Sequence, residues 1–143
     1  MLIERIATGA KRTLLGVGIA AVLVLSACAK RVPFTALPIV HSGTASAKVT
    51  LTFDRNNSLE VVLKNVPEPS ALSSRLTRYV LWTSTADGQH ITNIGQLRVD
   101  KNKAGIKTLT PLRRFGLVIT AEESGEVMTP GPDRVFESKI VDW

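Results

Sequence analysis

Short runs that alternate apolar and polar residues fill the chain after residue 46, and they restrict the fold to one built on β-strands. In AKVTLTF (47–53), Val49, Leu51 and Phe53 alternate with polar residues, as in a strand with one buried face. A run of turn-forming residues follows, and LEVVLKN (59–65) then repeats the pattern. These two runs are predicted to form a hairpin.

The next segment predicts a central strand followed by a tight turn. Residues 79–82 are large or branched without interruption, which favours a strand covered on both faces. Asp87 and Gly88 are typical of a tight turn, because glycine accepts a positive φ there. The chain is then predicted to return as one strand over 90–100, with a bulge near Gly95.

Three further runs are predicted to be strands, at 106–110, 115–123 and 134–143. The segment 66–70 contains two prolines, which lack N–H donors, and is therefore predicted to be a crossing loop. About seven short strands without a helix favour an all-β fold. The prediction is an antiparallel two-sheet sandwich of immunoglobulin-like shape, placed after an N-terminal signal helix.

The N-terminal region has the order of an export signal. A short start containing Arg5, Lys11 and Arg12 precedes an uncharged stretch, 13–27, which stops at Cys28, the only cysteine of the chain. This stretch has 15 residues. A helix that spans a bilayer needs about 20 apolar residues, so a cleaved signal is favoured and a marginal span remains the alternative.

The residues Leu25-Ser26-Ala27-Cys28 resemble the lipobox of bacterial lipoproteins. The resemblance implies cleavage before Cys28 and attachment of acyl chains such as palmitate to the new N-terminus. More than one chain would anchor the protein stably, since each buried CH2 contributes about 0.8 kcal/mol. The alternative is a free cysteine in a signal peptide that is cut further along the chain.

The same resemblance implies a place in the bacterial cell envelope. No aspartate follows Cys28, which in a Gram-negative cell implies the periplasmic face of the outer membrane. Three regions are therefore predicted: a signal peptide at 1–27, a flexible tether at 28–45 that contains prolines and small residues, and a β-sandwich domain at 46–143.

The charge of the exported part is mildly positive. Residues 28–143 contain 15 basic and 11 acidic side chains, a formal net charge of +4. Nucleic-acid binding would need basic residues concentrated on one face together with aromatic or groove-entering elements. The charges are scattered along the sequence, so no nucleic-acid partner is predicted. An anionic envelope surface is the better candidate partner.

No residue pattern predicts a catalytic, cofactor or metal site. Asp87, His90 and Glu122 could form a weak metal cluster only if the fold brought them together. The simpler interpretation is that Asp87 is a turn residue, His90 an exposed histidine and Glu122 an acidic residue at a strand end. Trp82 is expected to be a core residue rather than a ligand platform. Trp143 could either pack against the last strand or contact a partner.

Five segments resemble exported bacterial β-sandwich domains that are loosely similar to the extracytoplasmic domain of RskA-type anti-sigma factors. They are YVLW (79–82), DGQ (87–89), IGQL (94–97), FGLVITAE (115–122) and RVFES (134–138). The resemblance covers roughly residues 47–140 and implies the fold and an envelope location. In an anti-sigma factor a cytoplasmic sigma-binding domain would have to precede the membrane segment, whereas only about a dozen residues precede the apolar stretch here. The resemblance is therefore not taken to imply control of a sigma factor.

The sequence thus favours a lipid-anchored, non-enzymatic envelope module that binds an envelope protein or a wall polymer. One alternative is an enzyme or metal-binding domain whose site assembles only in three dimensions. Another is an envelope-sensing domain related to the anti-sigma extracytoplasmic domains.

Overall fold

The computed structural model describes residues 28–143; more than half of these lie in β-strands and almost none in a helix. The predicted all-β, antiparallel fold is confirmed, with nine strands in the described part rather than about seven; the predicted signal helix lies outside the described residues. The elements are β1 (Ala29–Ala36), β2 (Thr44–Leu51), β3 (Asn57–Lys64), α1 (Pro69–Leu72), β4 (Arg78–Thr85), β5 (Ile91–Asp100), β6 (Lys103–Thr110), β7 (Arg114–Glu122), β8 (Arg134–Ser138) and β9 (Val141–Asp142).

The strands pair in a ring that is nearly closed as a barrel. Their order is β4-β5-β6-β3-β2-β1-β8-β7, and β7 pairs with β4 to complete the circuit. The short β9 adds to the free side of the start of β7. Every pairing is antiparallel. The core therefore fills the inside of one continuous sheet.

Two strands pass from one half of the ring to the other. β1 pairs with β2 over 29–33 and with β8 over 34–36. β5 pairs with β4 up to Leu97 and with β6 from Arg98 onward. Because the halves share these strands, the structure is not clearly the predicted sandwich of two separate sheets. Strands that bend in this way make the corners of orthogonally packed sheets.

The predicted bulge near Gly95 is confirmed, and it lies where β5 bends. Pairing with β4 shifts register between Leu81 and Trp82, opposite this glycine. Gly95 has a φ of 138°, and a Cβ there would lie 2.6 Å from Cδ1 of Ile106. Glycine is thus required both for the backbone conformation and for close contact with β6.

The flexible tether predicted over 28–45 is wrong for most of its length. Strand β1 occupies 29–36, and the start of β2 occupies the last two positions. Val32 and Val40 are both buried in the main core. The prolines concealed the strand pattern, but Pro33 lies where β1 leaves β2 for β8, a point at which a missing N–H donor is tolerated.

The other local predictions hold with small corrections. The hairpin is confirmed as β2 and β3, and the tight turn as the loop in which Gly88 has a φ of 72°. The single turn of helix α1 begins within the predicted crossing loop, 66–70, and extends two residues beyond it. The predicted last strand is interrupted at 139–140, between β8 and β9.

The central strand β4 is buried on both faces, as its composition predicts. Its inward residues Tyr79 and Leu81 belong to the main core. On the outward side, Val80 and Trp82 form a second cluster with Val118. The segment 123–133 contributes Val127 to that cluster, so it covers this face. Trp82 is fully buried, which confirms its expected core position.

Removing β1 should destabilise the domain, because this strand joins the two halves of the ring. A fragment starting at Ala45 loses the burial of Val32 and Val40, each contributing about 1.5–3 kcal/mol. We expect its free energy of unfolding in urea to be lower by about 3 kcal/mol or more than that of residues 28–143 carrying Cys28→Ser. Equal urea midpoints for the two fragments would contradict a structural role for β1.

Candidate functional site

Cys28 lies at the surface, one residue before β1 begins. Its neighbour Ala29 pairs with Thr50, so the cysteine is fixed beside the end of β2. Among residues 28–143, no helix is long and apolar enough to cross a bilayer. Residues 1–27 lie outside the described part, and acylation of Cys28 stays a prediction.

Several strand ends and turns meet at the same end of the ring as Cys28, which we term the Cys28 end. It comprises the β2–β3 turn (52–56), the end of β6, the start of β7 and residues 139–143. Lys30 fixes the C-terminal segment here: its Nζ donates to the backbone oxygen of Asp142 over 2.7 Å and lies 5.8 Å from the ring centroid of Trp143. Trp143 therefore stacks against β1 and stays partly exposed.

The Cys28 end carries most of the large apolar side chains that the fold leaves exposed. Six such side chains are exposed among residues 28–143, and five lie here: Leu51, Phe53, Leu109, Ile140 and Trp143. The sixth, Met128, lies on the segment that covers β4. Scattered exposed apolar residues are ordinary, whereas a concentration at one end indicates a contact surface.

The turn that presents Phe53 is held by its own hydrogen bonds. Thr52 donates from its hydroxyl to Asp54 and from its backbone N–H to the carbonyl oxygen of Asn56 over 2.8 Å. The Asn56 amide donates to Asp54 over 2.8 Å. Hydrogen bonds from Thr52 and then Asn56 lower the pKa of Asp54. This stabilisation is therefore present at neutral pH and is lost only as the pH falls through the lowered pKa.

A second surface, which we term the basic face, is the outer side of β1, β2, β3, β6 and the last part of β5. Alternate residues of these strands point outward, and pairing brings the outward residues into rows. Six exposed basic side chains lie on it: Arg31, Lys48, Lys64, Arg98, Lys103 and Lys107. Its acidic side chains are Glu60 and Asp100.

The strand register places like charges side by side on the basic face. Arg31 is directly opposite Lys48, and Lys64 is directly opposite Lys103. Like charges in directly opposed positions destabilise a sheet. Ion pairs occur elsewhere in the described residues, but none includes any of the six basic side chains. Glu60 lies directly between Lys48 and Lys107 in the same register, and Asp100 is opposite Lys103, so the two carboxylates of the face offset part of this repulsion.

The whole positive surplus of residues 28–143 lies on the basic face. The face has six basic and two acidic side chains, an excess of four, and the remaining described residues have nine of each sign. An asymmetry of this kind raises the local concentration of an anionic partner.

The middle of the basic face is shallow and lacks aromatic side chains. Ser46, Val62 and Gly105 form one row across β2, β3 and β6. A depression of about 250 Å³ lies along it, between Arg31 and Lys48. Small side chains flanked by cations let an extended anionic chain approach the backbone, but they offer no ring on which a base could stack.

A groove of about 440 Å³ adjoins this face where β5 bends. Arg98 belongs to both surfaces, and Arg78 and Glu68 also line the groove. Arg78 donates to the carbonyl oxygen of Thr77 over 2.9 Å. The groove thus has two guanidinium groups and one carboxylate in its lining, the same balance of charge as the depression, where Glu60 lies with Arg31 and Lys48.

The three residues of the weak metal cluster do not come together. Asp87 and His90 lie in and after the turn at one end of β4, whereas Glu122 is opposite Arg78 at the other end. The β4 strand has 8 residues, so about 25 Å separates the two ends. Within the described range, no group of three His, Cys, Asp or Glu residues could hold a metal ion.

Glu122 instead belongs to a buried polar chain under the segment 123–133. Trp82 Nε1 donates to the Thr120 hydroxyl over 2.8 Å, and that hydroxyl donates to Glu122 Oε1 over 2.6 Å. The same carboxylate oxygen accepts the backbone N–H of Gly131 over 2.8 Å. No sequence pattern indicates these hydrogen bonds, because the residues that form them meet only when β4, β7 and the covering segment are assembled.

Comparison with models of protein families, with curated proteins and with solved structures finds no match to this chain. The resemblances to bacterial lipoproteins and to anti-sigma extracytoplasmic domains therefore stay predictions from the quoted segments. Functional inference depends on the two surfaces described above.

Replacing Glu122 by alanine should loosen the segment 123–133, because Thr120 and the Gly131 N–H lose their buried acceptor. We expect the free energy of unfolding to fall by about 1–3 kcal/mol. The matched control is Glu126→Ala, which changes an exposed carboxylate on the same segment and should alter stability little. Chemical denaturation followed by Trp82 fluorescence measures both; an equal effect of the two changes would contradict this role.

Proposed function

We propose that the protein is a lipid-anchored, non-enzymatic binding module of the bacterial cell envelope, attached through Cys28. The basic face binds an extended anionic envelope polymer of the wall or cell surface. In a Gram-negative cell the module lies on the periplasmic face of the outer membrane. One observation supports this choice of ligand: the entire excess of positive charge in residues 28–143 lies on this face.

The arrangement of the cations supports a repetitive ligand rather than a small molecule. They lie on five adjacent strands instead of converging on one point. An enclosed small-molecule site would combine an apolar pocket with a few convergent polar groups. Neighbouring strands are about 4.8 Å apart, so the cations are spread over about 20 Å of the sheet.

The absence of aromatic side chains from the basic face favours a carbohydrate or phosphate polymer over a nucleic acid. Single-stranded nucleic acids bind through cationic grooves combined with aromatic stacking platforms. The only tryptophans, Trp82 and Trp143, lie under the segment 123–133 and at the Cys28 end. An enzyme with an unrecognised site is the rival hypothesis, and no described group of residues specifically favours it.

Attachment through Cys28 is tested by Cys28→Ser in the producing cell. We expect the variant to accumulate as an unprocessed or mislocalised precursor that incorporates no labelled fatty acid, because serine cannot form the thioether. Metabolic labelling and membrane fractionation measure this, and Met128→Ser serves as a control at an exposed position. Normal cleavage and a soluble product from both wild type and Cys28→Ser would refute the anchor.

Ligand binding is tested by reversing charge on the basic face. The double variant Lys48→Glu and Lys107→Glu should bind immobilised polyphosphate or polygalacturonate at least about tenfold more weakly than the wild type, because each cation contributes on the order of 1 kcal/mol. The loss should shrink as salt is raised, since these charges are exposed. Titration of the full chain in a neutral detergent measures the affinities.

The matched control carries the same change in net charge outside the basic face. Arg113→Glu with Lys139→Glu should leave polymer affinity close to that of the wild type. If both double variants lose affinity equally, binding depends on net charge alone and the basic face has no special role.

A further inference from the structure

The Cys28 end combines exposed apolar side chains with the residue at which the apolar stretch 13–27 stops. We propose that this end docks on the surface of a bilayer containing anionic lipids, with Phe53, Leu109 and Trp143 entering the boundary between headgroups and acyl chains. The inference rests on the proposed function only in placing a bilayer beside Cys28.

The strand register puts these side chains at the same level as the anchoring residue. Ala29 pairs with Thr50, Thr50 with Ser58, and Ser58 with Leu109, which makes one row across four strands. Phe53 projects beyond this row from the β2–β3 turn, with its side chain fully exposed. Trp143 is fixed beside β1 through Lys30. A surface that meets the bilayer at Cys28 therefore also meets these three side chains.

The turn presents Phe53 without further ordering. Hydrogen bonds among Thr52, Asp54 and Asn56 close it in the unbound chain. A preformed loop loses little conformational entropy when it binds. Tryptophan and other aromatic residues are also enriched at the level of lipid headgroups, where an amphipathic ring is favoured.

The same end has a net positive charge, because Asp54 is its one acidic side chain outside an ion pair and three basic side chains oppose it. Arg55, Arg113 and Lys139 are exposed, and none of them forms an ion pair with another residue of the described range. Arg114 is instead paired with Asp142 at 3.5 Å. Basic residues close to an anionic leaflet are attracted to it.

A bilayer fits this end better than a second copy of the chain or another protein. Whether Cys28 is acylated or the stretch 13–27 is retained, the membrane meets the chain immediately before β1. The apolar side chains surround that point and are separated by basic groups, the composition of segments that lie in the lipid interface. Docking would direct the strands away from the membrane and leave the basic face open to the side.

The test is quenching of tryptophan fluorescence by lipids with brominated acyl chains. The full chain is reconstituted in vesicles of phosphatidylethanolamine and phosphatidylglycerol, with and without bromine. Trp82 is fully buried, so quenching reports Trp143, and Trp143→Phe gives the background. We expect quenching in the wild type and its loss in the double variant Phe53→Asp with Leu109→Asp. We expect quenching to be retained in Met128→Asp with Thr129→Asp, which adds the same two charges at exposed positions elsewhere.

Emission from Trp82 in each variant shows that the domain has folded. Two outcomes would overturn the inference even if Cys28 is acylated. One is quenching in the wild type that is no greater than in Trp143→Phe, and the other is equal quenching in all folded variants. The opposite outcome separates the two proposals in the other direction. If Cys28 is not acylated, but Trp143 is quenched and the Phe53 and Leu109 changes abolish the quenching, the docking proposal is supported and the lipid anchor is refuted.

Discussion

Strand β1 is the link on which the closed sheet depends. Its first part bonds to β2 and its last part to β8, so the two halves of the ring share its backbone. Without it, β2 and β8 would each present an unpaired edge, and the core around Val32 and Val40 would open. Unpaired edges are sites of aggregation, which closure of the ring avoids. The same strand directly follows Cys28, the proposed site of the lipid anchor, and its position would therefore fix the orientation of both candidate surfaces.

The two surfaces divide the exterior of the domain by chemistry. The Cys28 end is apolar with a few cations, and the basic face is polar and positively charged. Both result from the period of two in the strands: residues pointing inward build the core, while alternate residues remain free to carry charge. The fold can therefore place an excess of positive charge on its outside without disturbing the packing inside.

Local features of the fold could be predicted from the sequence, whereas its closure could not. Alternation at Val49, Leu51 and Phe53 predicts the hairpin, and the glycines at 88 and 95 predict the turn and the bulge. β1 was missed because prolines interrupt its pattern, and pairing with a strand more than 100 residues away leaves no local signal. The basic face was missed for the same reason: its cations are single residues on five strands, and only the register brings them together.

The short distance between Cys28 and β1 has a mechanical consequence. A single peptide bond separates Cys28, the proposed anchoring residue, from a strand that is hydrogen-bonded along its length, so a lipid anchor there would have no slack. Force applied between the membrane and a polymer on β2, β3 and β6 would act along β1. Its hydrogen bonds to β2 would then be loaded together in shear rather than broken one at a time. The domain would resist pulling from the cell surface as a rigid strut whose reach is set by strand length, about 25 Å for eight residues.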